Sequence, residues 1–175
     1  MNRTALALIL TLAATMAHAQ TSHNSNAPID FSADTIELQD RANRAVLAGN
    51  VAVKQAEMTL NASRLTVAYT GKVQDGSPQV SRLDASGGVT VRRPDQTARS
   101  QYAVYDINKR LITMLGAVTL NQSGNTVNGG RLTINLDTGR AVIDGSSVGA
   151  AAGAGNVTQG GGRVSGTFSV PKRDN

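Results

Sequence analysis

The sequence predicts an all-β protein built from repeated pairs of strands, and three observations support this prediction. Apolar residues alternate with polar or small ones, as at Leu65 and Val67, and a period of two is typical of half-buried strands. The pattern Gly-x-Val-x-apolar occurs three times, beginning at Gly49, Gly87 and Gly116. Beyond the N-terminal segment, no stretch carries the apolar stripe of a long helix.

The first residues indicate an export signal rather than part of the fold. Arg3 supplies a positive charge, residues 5–15 form a short apolar run, and Ala17-His18-Ala19 places small residues two apart. The run is too short to span a bilayer, which requires roughly 20 residues. We therefore expect residues 1–19 to be a signal peptide cleaved after Ala19. Residues 20–27 are then expected to be a flexible N-terminal tail.

The spacing of the glycines sets the organisation of the remaining chain. Gly87 and Gly116 are 29 residues apart, whereas Gly49 and Gly87 are 38 apart. The nine additional residues fall within the polar stretch 71–79, which we expect to be a loop. Self-similarity at a fixed period is the signature of a repeated structural unit. Each unit of about 29 residues is interpreted as two strands joined by a turn.

The mid-strand glycines predict a bend or bulge, because they carry no Cβ. Long strands bent at one place fold into two facing sheets, and a sandwich, a jelly roll and a solenoid remain open at this point. Residues 149–162 are rich in Gly and Ala and predict a flexible insertion. Alternation resumes over residues 163–170, which predicts a final strand, and residues 172–175 form a tail.

Four short motifs resemble those of a known family, the OstA-like domain of LptA-type lipopolysaccharide-transport proteins. They are residues 27–34, Gly49-Asn50-Val51, residues 61–65 and residues 163–171. Their order matches over nearly the whole domain, which we place at residues 28–171; the insertion 149–162 departs from the family pattern. The resemblance implies a partly open, twisted β-jelly roll in the periplasm of a Gram-negative cell.

The resemblance also implies a function, namely the carriage of lipopolysaccharide from the inner to the outer membrane. The acyl chains of lipid A would be sheltered in an apolar β-groove that protein does not fill. Implied partners are an LptC-like inner-membrane protein and an LptD-like outer-membrane protein, stacked edge strand to edge strand, with a head-to-tail homo-oligomer as a further form. The residues predicted to point inward and contact lipid are Ile36, Leu38, Leu47, Val51, Val53, Leu65, Val67, Val89, Val91, Tyr105, Met114, Val118, Leu120, Leu132, Ile134 and Ile143.

The charges favour phosphate-bearing partners but not nucleic acid. The net charge of +5 is modest and spread along the chain, and only five residues are aromatic, too few and too scattered to stack bases. Arg92-Arg93, Arg99 and Lys109-Arg110 are candidates for contact with lipid phosphates. Taken singly, each is better explained as a solvated strand end or turn.

Nothing in the sequence indicates an enzyme, a cofactor or a metal site. There is no cysteine, and after cleavage the sole histidine is His23, which argues against a histidine-dependent triad or a multi-histidine site. The carboxylates are scattered at turns and outward strand positions, so a carbohydrate-active enzyme is disfavoured. The main alternative to a lipid carrier is a structural β-scaffold that assembles through its edges without a ligand.

Overall fold

The computed structural model describes residues 23–71, 78–145 and 163–167. The predicted signal peptide, the insertion 149–162 and the tail 172–175 lie outside the described residues. Within them the chain forms ten strands and one short 3-10 helix, Asp40–Ala42. The strands are β1 (Ile29–Ser32), β2 (Thr35–Gln39), β3 (Arg44–Gln55), β4 (Met58–Thr70), β5 (Gln79–Arg93), β6 (Gln96–Asp106), β7 (Leu111–Gln122), β8 (Asn125–Asn135), β9 (Ala141–Asp144) and β10 (Ser165–Thr167).

The strands form one antiparallel sheet, and from β2 to β9 each strand pairs with the next strand in the chain. The order is β1-β3-β4-β5-β6-β7-β8-β10, while β2 also pairs with β3 and β9 also pairs with β8. Each end of the sheet is therefore made of two short strands that share one long partner. The predicted final strand is present as β10 and pairs with residues 126–128 of β8.

A line of bulges crosses the sheet, and it coincides with the repeated glycines. The pairing register shifts where β3, β5 and β7 each carry one extra residue relative to their neighbours. At every such place two successive residues have positive φ, a backbone region that glycine enters freely and other residues rarely. The pairs are Gly49 (76°) and Asn50 (44°), Gly87 (83°) and Gly88 (77°), and Gly116 (81°) and Ala117 (48°). The predicted bends are confirmed, and we call this line the crease.

The crease divides the sheet into two layers that fold onto each other. The first layer consists of β1, β10 and residues 51–55, 58–62, 89–93, 96–100, 118–122 and 125–129. The second layer consists of β2, β9 and residues 44–48, 64–70, 79–86, 102–106, 111–115 and 131–135. One apolar cluster draws residues from both layers. The all-β jelly-roll prediction is therefore confirmed, with a single open sheet creased in the middle.

Two residues predicted to be inside, Ile36 and Leu38, are 55% and 61% exposed. Their direction was predicted correctly, because they pair directly with Leu47 and Ala45, and directly opposite residues share one face of a sheet. The prediction of an enclosed position was wrong, since β2 is an edge strand and nothing in the described part of the chain covers this end of the inner face.

No helix in the described part of the chain has the length and apolar character needed to cross a membrane. The single 3-10 helix has three residues, Asp40–Ala42, and serves as the turn between β2 and β3. It ends at Asn43, whose left-handed conformation (φ 48°) reverses the chain and whose N–H bonds back to the carbonyl of Asp40.

Candidate functional site

The predicted lining residues meet in the interior between the two layers. Thirteen of the sixteen are buried, namely Leu47, Val51, Val53, Leu65, Val67, Val89, Val91, Tyr105, Met114, Val118, Leu120, Leu132 and Ile134. Ile143 is partly buried against the same cluster. Together with the exposed Ile36 and Leu38, all sixteen lie on the inner face or its margin. Whether they contact lipid is addressed by the proposal below.

The interior is closed in this conformation. Leu65, Met114 and Leu132 have an exposed fraction of 0%, so the side chains of the two layers contact each other directly. The cleft left unfilled by protein, which the lipid-carrier interpretation predicts, is absent at these positions. A bound acyl chain would therefore require the two layers to move apart.

The inner face continues beyond this packed region to the edge of the sheet. Leu47 is 2% exposed, whereas Ile36, its partner on β2, is 55% exposed. At the opposite end of the sheet, Ile143 on β9 pairs with the fully buried Leu132 on β8. The inner face thus continues past the closed interior as an exposed apolar ledge, Ile36 and Leu38, at the β2 end. An exposed apolar margin that continues a core is an expected feature of an interaction site.

A polar pair sits at the free ends of the two layers, opposite the crease. Gln55 ends β3 in the first layer, and Tyr105 lies near the end of β6 in the second layer. The Tyr105 hydroxyl donates to Oε1 of Gln55 at 2.8 Å, and the two residues are 2% and 1% exposed. Burial raises the pKa of Tyr105, so the hydroxyl remains a donor. This bond joins the layers where no strand pairing does.

Sequence reasoning missed part of the interior, although a signal for it was present. Met58, Leu60 and Ile112 are buried, and their alternation with polar residues matches that of the residues that were predicted. Gln55 was also missed. It has the same parity as Val51 and Val53, so a polar residue at an inward position of β3 was visible in the sequence.

The structure does not bring the candidate basic residues together. Arg92 lies on the outer face of the first layer, where it donates to Oδ1 of Asn61 at 3.2 Å, and Arg99 lies diagonally beside it on β6. Lys109 and Arg110 lie at the end of the second layer and are paired with Asp106 and Asp137, both at 3.1 Å. The basic residues form two separate groups rather than one phosphate site.

Arg93 differs from these residues because it lines a cavity of about 210 Å³. The cavity lies beside the turns that follow β3 and β5, and its other walls include His23, Glu57 and Met58. Burial lowers the pKa of His23, and the nearby Arg93 acts in the same direction. The neutral ring is therefore favoured in this conformation. In the described part of the chain, no group of three or more His, Asp or Glu is placed to hold a metal ion.

Comparison with known proteins agrees with this geometry. Residues 30–140 match the family model described as LptA/(LptD N-terminal domain) LPS transport protein. A protein of uncharacterised function from Rhizobium meliloti (strain 1021) is 30% identical over 125 residues, which cover 69% of this chain and 67% of that protein.

The fold is also similar to a solved structure, that of LptH, the LptA-homologous periplasmic component of the lipopolysaccharide transport device of Pseudomonas aeruginosa. The TM-score is 0.69 at 17% sequence identity, over 85% of this chain and 99% of that one. The family match covers more than half of the chain and includes the crease and most of the interior. This chain therefore belongs to the LptA/LptD N-terminal-domain family of lipopolysaccharide transport proteins.

Proposed function

We propose that this protein carries lipopolysaccharide through the periplasm by sheltering lipid A acyl chains between its two layers. The observation that supports this most directly is the apolar inner face, which continues from buried Leu47 to exposed Ile36 without a polar interruption. Each methylene removed from water contributes about 0.8 kcal/mol. A chain of about twelve carbons therefore gains on the order of 10 kcal/mol from such a surface.

In this proposal the closed conformation is the unloaded form. The layers are continuous through the crease but otherwise face each other through side chains, so they can separate without breaking the strand ladder. Acyl chains would replace the contacts that Leu65, Met114 and Leu132 now make with the facing layer. Because one apolar contact is exchanged for another, the free-energy cost of separating the two layers stays low.

We further propose that the two ends of the sheet pair with other proteins of the transport system. The described ends, β1 with β2 and β9 with β10, are edge strands, and an edge offers unpaired N–H and C=O groups to an added strand. An LptC-like protein at one end and an LptD-like protein at the other would give a bridge. Two copies of this chain joined by unlike ends would extend it.

Photo-crosslinking tests the lipid site. A photoreactive residue at Leu38 should capture lipopolysaccharide, while the same residue at neighbouring Glu37, which points to the other face of β2, should not. Both positions are exposed, so neither substitution disturbs packing. The same comparison applies to Leu65, which points inward, and Thr66, which points outward. Adducts are identified by mass spectrometry.

Equal capture at Leu38 and Glu37, or capture at Thr66 but not Leu65, would contradict lipid binding on the inner face. An unaltered far-ultraviolet circular dichroism spectrum checks that each labelled protein retains its fold. Mass spectrometry of lipid that co-purifies with the unlabelled protein provides an independent measurement. It should detect lipid A fragments after mild extraction.

The closed interior favours one alternative, a ligand-free scaffold that assembles through its edges. Such a scaffold requires an interior filled by the protein's own side chains. Leu65, Met114 and Leu132, each 0% exposed, meet that requirement. The scaffold predicts that lipopolysaccharide fails to alter protection of the core amides from hydrogen exchange. The carrier predicts that it alters exchange in both layers, since they must separate.

A further inference from the structure

Residues 23–27, which Pro28 separates from β1, lie across the free ends of both layers; we call them the strap. In the first layer, Nε2 of Gln55 donates to the carbonyl of Ser25 at 3.0 Å and to that of Ala27 at 3.1 Å. The ring nitrogen Nε2 of His23 lies 3.2 Å from Oε1 of the same side chain. Gln55 thus holds the strap through three separate contacts.

The strap is also bound to the second layer. Nη2 of Arg110, in the turn between β6 and β7, donates to Oδ1 of Asn26 at 3.1 Å. Nη1 of the same guanidinium donates to Asp137 at 3.1 Å, which fixes its orientation. The strap therefore spans the line, opposite the crease, where the free ends of the two layers meet. We call this line the seam.

Gln55 connects these contacts to the interior. Its amide donates to the strap, while its oxygen accepts from Tyr105 of the facing layer at 2.8 Å. Release of the strap would leave two N–H donors of a side chain that is 2% exposed without partners. A buried polar group without a partner is costly, so the strap and the Gln55–Tyr105 bond are expected to open together.

The seam differs in kind from the rest of the structure. The crease is crossed by continuous strands with their ladders, whereas these seam contacts are hydrogen bonds made by side chains. A bond of this kind contributes little net free energy, so a few of them hold a closure that thermal motion can open. The crease, with paired positive-φ residues in alternate strands, supplies the hinge for that movement.

We propose that the seam between Gln55 and Tyr105, covered by the strap, is the opening through which acyl chains reach the interior, and that Gln55 is the residue that controls it. This inference rests on the proposed function, because it names the route to the same lipid site. It assigns residues 23–27 a role as a displaceable closure.

Two substitutions weaken the seam by removing its side-chain hydrogen bonds. Tyr105→Phe removes only the hydroxyl that reaches Gln55, and Gln55→Leu removes the contacts to both the strap and the facing layer. Tyr102→Phe is the matched control, since Tyr102 is 54% exposed on β6. Hydrogen exchange of the amides of residues 24–27 reports the strap. Stopped-flow fluorescence of cis-parinaric acid and of fluorescently labelled lipopolysaccharide reports the rate of uptake.

Tyr105→Phe should raise both the exchange of the strap and the uptake rate about fivefold, the change expected from one hydrogen bond of average strength. Gln55→Leu should raise the exchange of the strap and the uptake rate by about tenfold or more. Tyr102→Phe should change neither quantity. Normal uptake rates in variants whose strap exchanges faster would overturn the seam as the route, while the lipid site would stand. No binding of either probe to any form would instead overturn the lipid site, and the seam inference with it.

Discussion

Gly87 and Gly88 are adjacent in β5 and share a left-handed backbone, with φ of 83° and 77°, but their surroundings differ. A Cβ added at Gly87 would lie 2.7 Å from Cβ of Ser63, whose hydroxyl donates to the Gly87 carbonyl at 2.7 Å. A Cβ added at Gly88 would meet nothing within 4 Å. Glycine is therefore favoured at position 87 by the close approach of Ser63 as well as by the positive φ. At position 88 it is favoured by the positive φ alone.

Alanine at each position should separate these two effects. Gly88→Ala should lower the free energy of unfolding by about 1–2 kcal/mol, the cost of a left-handed residue with a Cβ. Gly87→Ala should cost about 1–3 kcal/mol more, because Ser63 must also move. Urea denaturation measures both values. Equal losses would show that the approach of Ser63 does not constrain the crease.

His23 makes the closure of the strap dependent on pH. Burial lowers the pKa of His23 below its ordinary value of 6.5; Arg93 adds to this, whereas the Gln55 hydrogen bond and Glu57 oppose it. The docked strap thus favours the neutral ring. The neutral His23 ring therefore contributes fully to the stability of the docked strap above pH 6.5. This contribution is lost as the pH falls through the lowered pKa.

Acidification from about pH 7.5 to about pH 5 should accordingly increase hydrogen exchange in residues 24–27, after correction for the intrinsic exchange rate. His23→Gln, which cannot titrate, should show the same exchange at both pH values. A pH response that persists in this variant would assign the effect to another group.

At the scale of elements, β2 and β4 show an edge strand and an interior strand on the same inner face. Leu38 on β2 and Leu65 on β4 have the same residue type and point to the same side, yet they are 61% and 0% exposed. The difference arises because β2 pairs on one side only, whereas β4 lies between β3 and β5.

Truncation of these two leucines should have very different costs. Leu65→Ala should lower the free energy of unfolding by about 2–5 kcal/mol, because it removes buried apolar volume and leaves a cavity. Leu38→Ala should change it by less than about 1 kcal/mol, as is usual for an exposed position. Chemical denaturation provides the comparison. A large loss at Leu38 would mean that another element covers this edge.

The strands, the turns and the crease could be predicted because each has a local cause. Alternation marks which residues face inward, and the recurring glycines mark where the backbone bends. The exposed fraction of Ile36 depends on a missing neighbour strand, which the alternation of β2 itself does not report. The bond between Gln55 and Tyr105 joins residues 50 positions apart, and no local pattern relates them. The interior could be predicted as a set of inward residues but not as a closed space.

For the whole molecule, the apolar ledge formed by Ile36 and Leu38 should govern association. These residues are the exposed continuation of the core at one end of the sheet. Charged residues on an edge strand oppose pairing with another strand. We therefore expect Ile36→Lys combined with Leu38→Lys to reduce concentration-dependent oligomers while leaving the monomer folded.

Sedimentation velocity over a range of protein concentrations measures this association, and circular dichroism checks the fold. Arg44→Lys is a control that keeps the charge of a residue at the start of β3, next to the same edge. Oligomers that survive the double substitution unchanged would place the contact between copies elsewhere.

Each end of the sheet is divided where the crease meets it. At the first end, β1 has four residues and β2 has five, and the chain between them passes Asp34 against Gly49. Neither piece alone offers a long template to a passing strand. A protein that paired with both pieces at once would have to be bent at a matching angle, so a flat sheet could pair with only one of them.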